Sequence, residues 1–411
     1  MTPPHPVGLK RTLSPIAVAL YGVGAILGAG IYALIGEVAA LAGRLAPISF
    51  LIAGGVAAMT GLSFAELAAR YPKSGGAAIY VSTVFGARRL SIAVGAMVVA
   101  SGVVSAAVIS KAFIGYAQEF VSVPDWAGLI ALTAALAALA GWGVNQSVGT
   151  AAAITVLEIG ALLVVIAAAG LAALSGAPSA AAANSPPAAP SGALVGVLGA
   201  SVLAFYAFIG FEDMANMAEE VKDVRRSLPM AIIAAIAIAA ALYALLAWAA
   251  VSAVPVAALG ESAAPMAYLF SELTGASPRW MSGVALLAVV NGALVQIIMA
   301  SRVLYGMSRD GLIGAAFGRL HPKTQTPLTA TLGVSLAILI AALALPIATL
   351  AELTSFLLLI VFVIVNLALI RVKMRAKSRP RSGFSVPIWA PAIGAASSAG
   401  LALVSFVAVF S

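Results

Sequence analysis

Eleven apolar runs divide the chain, each bounded by charges, prolines or clusters of glycine. They cover residues 13–37, 45–68, 90–118, 125–143, 149–172, 193–215, 229–254, 278–305, 327–346, 349–370 and 387–410. A helix needs about 20 apolar residues to cross a bilayer, so each run is long enough to be a span. The pattern predicts an all-α integral membrane protein with short loops. Composition agrees: 63% of the residues are hydrophobic, 9% are charged, and the mean hydropathy is +1.10. A soluble protein carries about 25% charged residues, and this chain has too few polar side chains to cover a water-facing surface. The first run is too long for the apolar segment of a cleavable signal and is expected to be retained as a span.

The net charge of +8 changes the picture only through its placement. If the N-terminus is cytoplasmic, all but three of the 22 Lys and Arg residues fall in cytoplasmic segments; the exceptions are Arg44, Lys111 and Arg279. This is the positive-inside distribution, and it accounts for the basic pI without nucleic acid as a partner. The basic run from Arg371 to Arg381 reads as a topology anchor that also meets anionic lipid. The expected location is the plasma (inner) membrane, multi-pass, with the lipid bilayer as partner and no nucleic acid. Cysteine is absent, and the two histidines, His5 and His321, lie in polar segments near proline. Thiolate and paired-histidine metal sites are therefore excluded, and neither metal nor cofactor is expected. A membrane-embedded enzyme would need a nucleophile with a base, or paired carboxylates, and the acids here are scattered.

Residues 174–192 are rich in Pro, Ala and Ser, without charge, and read as an extracellular linker. The expected organisation is a cytoplasmic tail (1–12), a first five-helix group (13–173), that linker, a second five-helix group (193–371), and a basic cytoplasmic loop with one additional span (372–411). Five is odd, so the second group enters from the opposite side, the arithmetic of an inverted repeat. Spans 1 and 6 carry matching interruptions. Span 1 holds Gly22, Gly24, Gly28 and Gly30; span 6 holds Gly210 followed by Glu212 and Asp213. Gly22 and Gly24 are expected to serve close helix packing, and Gly28-Ala29-Gly30 to be a true break. A break frees backbone groups that hydrocarbon tolerates only beside a cavity or ligand.

Four segments give the chain a family likeness: GAILGAGIY at 24–32, FAELAARYPKSGGAAIYV at 64–81, FYAFIGFEDMANMAEEVKDVRRSLP at 205–229 and ASRVLYGMSRDGLIGAAFGRLHPKTQTP at 300–327. They resemble, in order, the helix 1, post-helix 2, helix 6 and post-helix 8 stretches of the amino acid–polyamine–organocation (APC) superfamily of permeases. The resemblance implies the LeuT-type five-plus-five inverted repeat with broken helices 1 and 6, and secondary transport of amino acids by alternating access. The family usually has twelve spans; eleven are counted here.

A zwitterion needs an anion site and a cation site at one depth. The second half of span 1 begins near Gly30, where free N–H groups and the positive helix end suit a carboxylate. The first half of span 6 ends near Tyr206 to Ile209, where free carbonyls suit an ammonium group. The resemblance assigns the same roles: carboxylate binding to Ile26, Gly28, Ala29 and Gly30, amine binding to the backbone of Tyr206, Ala207, Phe208 and Ile209. Phe205, Tyr206 and Phe208 either pack or occlude the substrate.

Glu158 stands in an apolar run, and an intramembrane acid is a functional hypothesis by default. In many relatives this helix 5 position looks like a lysine that replaces sodium beside helix 1. Glu158 is read as the proton- or cation-coupling group, with a neutral structural role as the alternative. Glu212 is either a helix cap or a gate and relay; Asp213 shares the capping reading. Glu66 is expected to pair with cytoplasmic Arg or Lys, and Glu37 to shape the outer vestibule. Asn291 and Gln296 serve helix contacts or substrate, and Gly102 and Ser105 border the side-chain pocket. The leading function is Na+-independent amino acid transport, by proton symport or exchange. A polyamine or organic-cation transporter, and a substrate sensor without net transport, are the alternatives.

Overall fold

The structure is a computed structural model that describes residues 13–28, 30–72, 76–142, 148–175, 193–218, 221–309, 311, 313–375 and 383–410. Ala29, Glu219, Glu220 and most of the 174–192 linker lie outside the described residues. Described elements are helical, apart from one isolated bridge between Leu13 and Val221. In chain order they are α1 (Pro15–Leu27), α2 (Gly30–Ala42), α3 (Ala46–Arg70), α4 (Gly76–Phe85), α5 (Arg88–Ala117), α6 (Asp125–Trp142), α7 (Val148–Leu174) and α8 (Ala193–Tyr206). They continue with α9 (Val224–Ala253), α10 (Val256–Glu261), α11 (Pro265–Thr274), α12 (Arg279–Arg309), α13 (Leu328–Ala344), α14 (Ile347–Arg375) and α15 (Trp389–Phe410).

Among the described residues, eight helical stretches are long and apolar enough to cross a membrane, and shorter apolar helices lie among them. Ten of the eleven expected spans are covered by helix along most of their length. Span 1 is divided between α1 and α2, as expected. Span 6 departs more: its α-helix stops at Tyr206, and the chain continues through turns into a 3-10 helix at Glu212–Met217. Three short helices occupy stretches read as loop. α4 lies on the face that carries most of the basic residues. α10 and α11 lie on the opposite face, where Pro255 caps α10, Pro265 opens α11 and left-handed Gly275 ends it. That is the usual Pro-first, Gly-last punctuation. They escape a hydropathy reading because they hold too few apolar residues to be spans.

Small residues set the close approaches. Gly54 and Gly61 of α3 face α9, where added Cβ atoms would meet Phe208, Ala240 and Ile236 side chains. Gly22 lies against the Met214 side chain and Gly24 against the Thr155 hydroxyl, the packing role expected of both. Large apolar side chains such as Leu332, Leu336 and Ile340 of α13 point outward, as lipid-facing positions do.

A polar seam fastens the last helix to the bundle. Thr60, Ser63 and Glu66 follow one another at three-residue spacing on one face of α3, and all are buried. Ser63 donates to Asn366 Oδ1 (2.6 Å), Asn366 Nδ2 donates to Thr60 (3.0 Å), and Thr60 meets Ser398 of α15 (3.3 Å). Glu66 collects Arg70, Lys373 Nζ (2.6 Å) and the Val386 N–H (2.8 Å), the pairing expected of it. Removing one partner of a buried pair strands the others, at a cost of about 3–5 kcal/mol. Glu66→Ala is therefore expected to lower the melting temperature in detergent clearly more than Arg70→Ala does, measured by scanning fluorimetry. Equal, small shifts would contradict the hub role of Glu66.

Candidate functional site

The first break follows from glycine. At Gly28 the backbone leaves helical geometry (φ −23°, ψ −82°) while its N–H still reaches the Gly24 carbonyl at 3.0 Å. α2 starts at Gly30, and the first N–H groups of a helix have no acceptor within it. Gly30 rests directly on Ala207 of the second break: a Cβ there would strike the Ala207 Cα and stand 2.9 Å from its Cβ.

The second break winds tighter before it opens. The N–H groups of Ala207, Phe208 and Ile209 donate to the carbonyls three residues back, at 3.1, 3.0 and 3.1 Å. Gly210 then takes φ +123°, a conformation only glycine holds without strain, and an added Cβ would strike the Ala25 carbonyl oxygen. The Gly210 N–H donates to Glu212 Oε2 at 2.9 Å, so Glu212 caps a donor that the break leaves free. Asp213 meets the Asn216 amide at 3.4 Å.

Tyr243 of α9 joins the two breaks. Its hydroxyl lies 2.7 Å from the Ile26 carbonyl oxygen and 3.0 Å from that of Ala207, two acceptors released by the two interruptions. The hydroxyl is fully buried, with Phe50 and Phe208 packed on its ring at 5.7 and 5.2 Å.

Beside this crossing is a cavity of about 60 Å³, lined by Gly28, Gly30, Tyr206, Ile209, Asp213 and Asn291 among others. It leads to a vestibule of about 980 Å³ on the basic face, bounded by Arg88, Gly102, Glu212, Asp213, Gln296 and Arg302 among others. Ser105 and Gln296 border both spaces, and Ser105 holds the Tyr206 hydroxyl at 3.0 Å. Asn291 Oδ1 is buried with no hydrogen-bond partner among the described residues. Of the sequence candidates, Ile26, Gly28, Gly30, Tyr206 and Ile209 line the small cavity. Ala207 and Phe208 sit behind its wall against Tyr243. Of the three aromatics, Tyr206 faces the cavity, while Phe205 packs on Phe362 at 5.8 Å. Glu158 is 1% exposed, and its Oε2 has no hydrogen-bond partner among the described residues. It lies one turn beyond Thr155, the residue against Gly24, and within electrostatic reach of the Tyr32 and Tyr243 hydroxyls.

Two broken helices thus meet at one small cavity. The family model described as amino acid permease matches residues 13–410. The chain belongs to the amino acid permease family. Its fold is the all-α, LeuT-type five-plus-five arrangement of the APC superfamily, with spans 1 and 6 broken. It is 29% identical to the branched-chain amino acid permease BcaP of Bacillus subtilis, over 91% of this chain and 83% of that one. It is 29% identical to cationic amino acid transporter 4 of Homo sapiens, over 91% of this chain and 61% of the human one. A third similar protein is the chloroplastic cationic amino acid transporter 9 of Arabidopsis thaliana, 30% identical over 76% of this chain and 58% of its own length. The permease therefore spans about three-fifths of those two eukaryotic proteins.

Gly30→Leu is expected to abolish amino acid binding, because its side chain would drive the two breaks apart. The variant should still elute as a folded protein, and isothermal titration reads the binding. Tyr243→Phe leaves two buried carbonyls without their donor, which costs about 1–3 kcal/mol. The expected result is roughly tenfold weaker binding with the fold retained; unchanged affinity would deny Tyr243 its bridging role.

Proposed function

We propose that this permease moves amino acids by alternating access, independently of Na+, by proton symport or exchange. The observation that carries the reading is the meeting of the two breaks at one cavity. The first turn of α2 offers N–H groups to a carboxylate. The Ile209 carbonyl, beside the cavity, takes no backbone hydrogen bond among the described residues and offers an acceptor to an ammonium group, with that of Phe208 behind it. Ile26 contributes through the hinge: its carbonyl is already held by Tyr243. The site residues proposed are thus Ile26, Gly28, Ala29, Gly30, Tyr206, Ala207, Phe208 and Ile209, with Asn291 added.

The wide vestibule opens on the basic face, which the positive-inside rule assigns to the cytoplasm. On that reading the N-terminus is cytoplasmic, the membrane is the plasma membrane, and the conformation is inward-facing. Glu158 is the proposed proton carrier. Its unpartnered oxygen sits beside the helix that ends in the first break, so neutralising it changes what α1 packs against. Glu212, which caps Gly210 and faces the vestibule, is the proposed relay at the inner mouth.

A second reading, cationic substrates, rests on Asp213 and Glu212 in the path out of the cavity. Several similar proteins are named cationic amino acid transporters, and that of Bacillus subtilis a branched-chain permease. A thermal-shift screen of amino acids and polyamines, followed by flux into liposomes with and without a proton gradient, decides among these readings. Binding without flux would turn the assignment to a sensor. In the same liposomes Glu158→Gln is expected to abolish stimulation by an inward proton gradient while exchange persists. An unaltered response to the gradient would give Glu158 a structural role.

A further inference from the structure

The vestibule carries its charges in order of depth. Ser105, Ile209, Asp213 and Gln296 border both it and the central cavity, and so form the neck between them. Along α12, Gln296, Met299, Val303 and Gly306 line the vestibule at spacings of three and four residues, which is one face of a helix. Arg302 lies on that wall. It follows Gln296 by six residues, about 9 Å along the helix at 1.5 Å per residue. Arg88 marks the mouth, where its Nη2 donates to the carbonyl of Gly311, just past the end of α12, at 3.1 Å. Arg302 therefore stands between the neck and the mouth.

Several arginines on the basic face are occupied. Arg70 pairs with Glu66, Arg371 lies over the Phe85 ring at 5.1 Å and Arg309 over the Tyr305 ring at 6.0 Å. Arg302 is exposed to the vestibule and has no hydrogen bond or ion pair among the described residues. Its guanidinium keeps five N–H donors for a solute. Among the described residues, no lysine or arginine lines the central cavity. An amino acid that leaves the first turn of α2 thus gives up peptide donors and passes a neck that carries the Asp213 carboxylate. Arg302 is the first positive side chain beyond it.

We infer that Arg302 is a substrate-contacting residue of the inner exit path, which takes the α-carboxylate of a departing amino acid while Asp213 holds its ammonium group at the neck. The inference rests on the transport reading above. Asp213 repels a carboxylate that passes it, and a guanidinium a short way beyond offsets that repulsion. A planar guanidinium also matches a carboxylate with two parallel hydrogen bonds. The hand-over eases release without tightening the central site, because Arg302 does not line the central cavity. The same contact captures an amino acid that enters from the inner side.

Oriented proteoliposomes and radiolabelled L-alanine, L-leucine and L-arginine test the inference, with initial rates read from both sides. Arg302→Gln is expected to raise KM at the inner side about fivefold, a loss of about 1 kcal/mol, the size of an ion pair that water reaches. KM at the outer side should stay within about twofold. Arg302→Lys keeps the charge and should keep the inner KM near that of the wild type. Gly306→Asp tests the same contact with Arg302 in place. Gly306 lies one turn further along the vestibule wall, where an added Cβ meets nothing within 4 Å, and a carboxylate there would occupy the guanidinium at i, i+4 spacing. It should raise the inner KM as Arg302→Gln does, and Gly306→Asn should not. Wild-type inner KM in both Arg302→Gln and Gly306→Asp would overturn the role of Arg302 while leaving the transport reading intact, and so would an equal rise on both sides. A wild-type protein that moves none of the three amino acids would overturn both.

Discussion

Everything in this permease depends on two interrupted helices touching where both are unwound. Helices normally hide their peptide groups from lipid, and a break exposes them at a cost that hydrocarbon cannot relieve. Here each break relieves part of the other. Gly30 lies on Ala207, Gly210 lies on Ala25, and the Tyr243 hydroxyl serves one carbonyl from each. Gly28, Gly30, Tyr206 and Ile209 line the small cavity beside the crossing, and the proposed function gives their free peptide groups to a zwitterion. On the proposed reading, stability of the hinge and recognition of the substrate draw on neighbouring peptide dipoles of the same two breaks.

Around this crossing the molecule divides its labour. The polar seam of Thr60, Ser63, Glu66 and Asn366 and the ring cluster of Phe64, Phe211 and Phe362 hold the half nearer the basic face together. At the other end the Tyr116 hydroxyl donates to the Tyr32 carbonyl and accepts the Met266 N–H of α11, a junction that holds that end closed. An alternating-access cycle would have to release the outer junction while retaining the hinge, and the two depend on different hydroxyls. In such a cycle Tyr116 and Tyr243 would be separable handles on closure and on binding.

Much of this was legible in the sequence for a physical reason: spans must be long and apolar, and a glycine cluster inside one has few uses. The eleven spans, the break at Gly28, the close packing at Gly22 and Gly24 and the pairing of Glu66 all follow from such constraints. Other features were hidden. Tyr243 shares its apolar run with one other aromatic, Trp248, and only the fold brings its hydroxyl to Ile26 and Ala207. Its hydroxyl was the available signal, since a buried Tyr usually finds a partner. Span 6 loses its α-helix earlier than its hydropathy indicates, because 3-10 turns and a left-handed Gly210 leave no mark on an apolar profile. The place of Arg302 on the vestibule wall is likewise a product of tertiary structure, as the sequence reads it only as one more base on the cytoplasmic side.

The most direct test is a cryo-EM map of the permease with a transported amino acid bound. The account predicts density in the small cavity, with the carboxylate at hydrogen-bond distance, about 3 Å, from the N–H groups that open α2, and the ammonium group beside the Phe208 and Ile209 carbonyls. Continuous helices through residues 24–34 and 203–215, or an amino acid held by side chains away from both breaks, would contradict it.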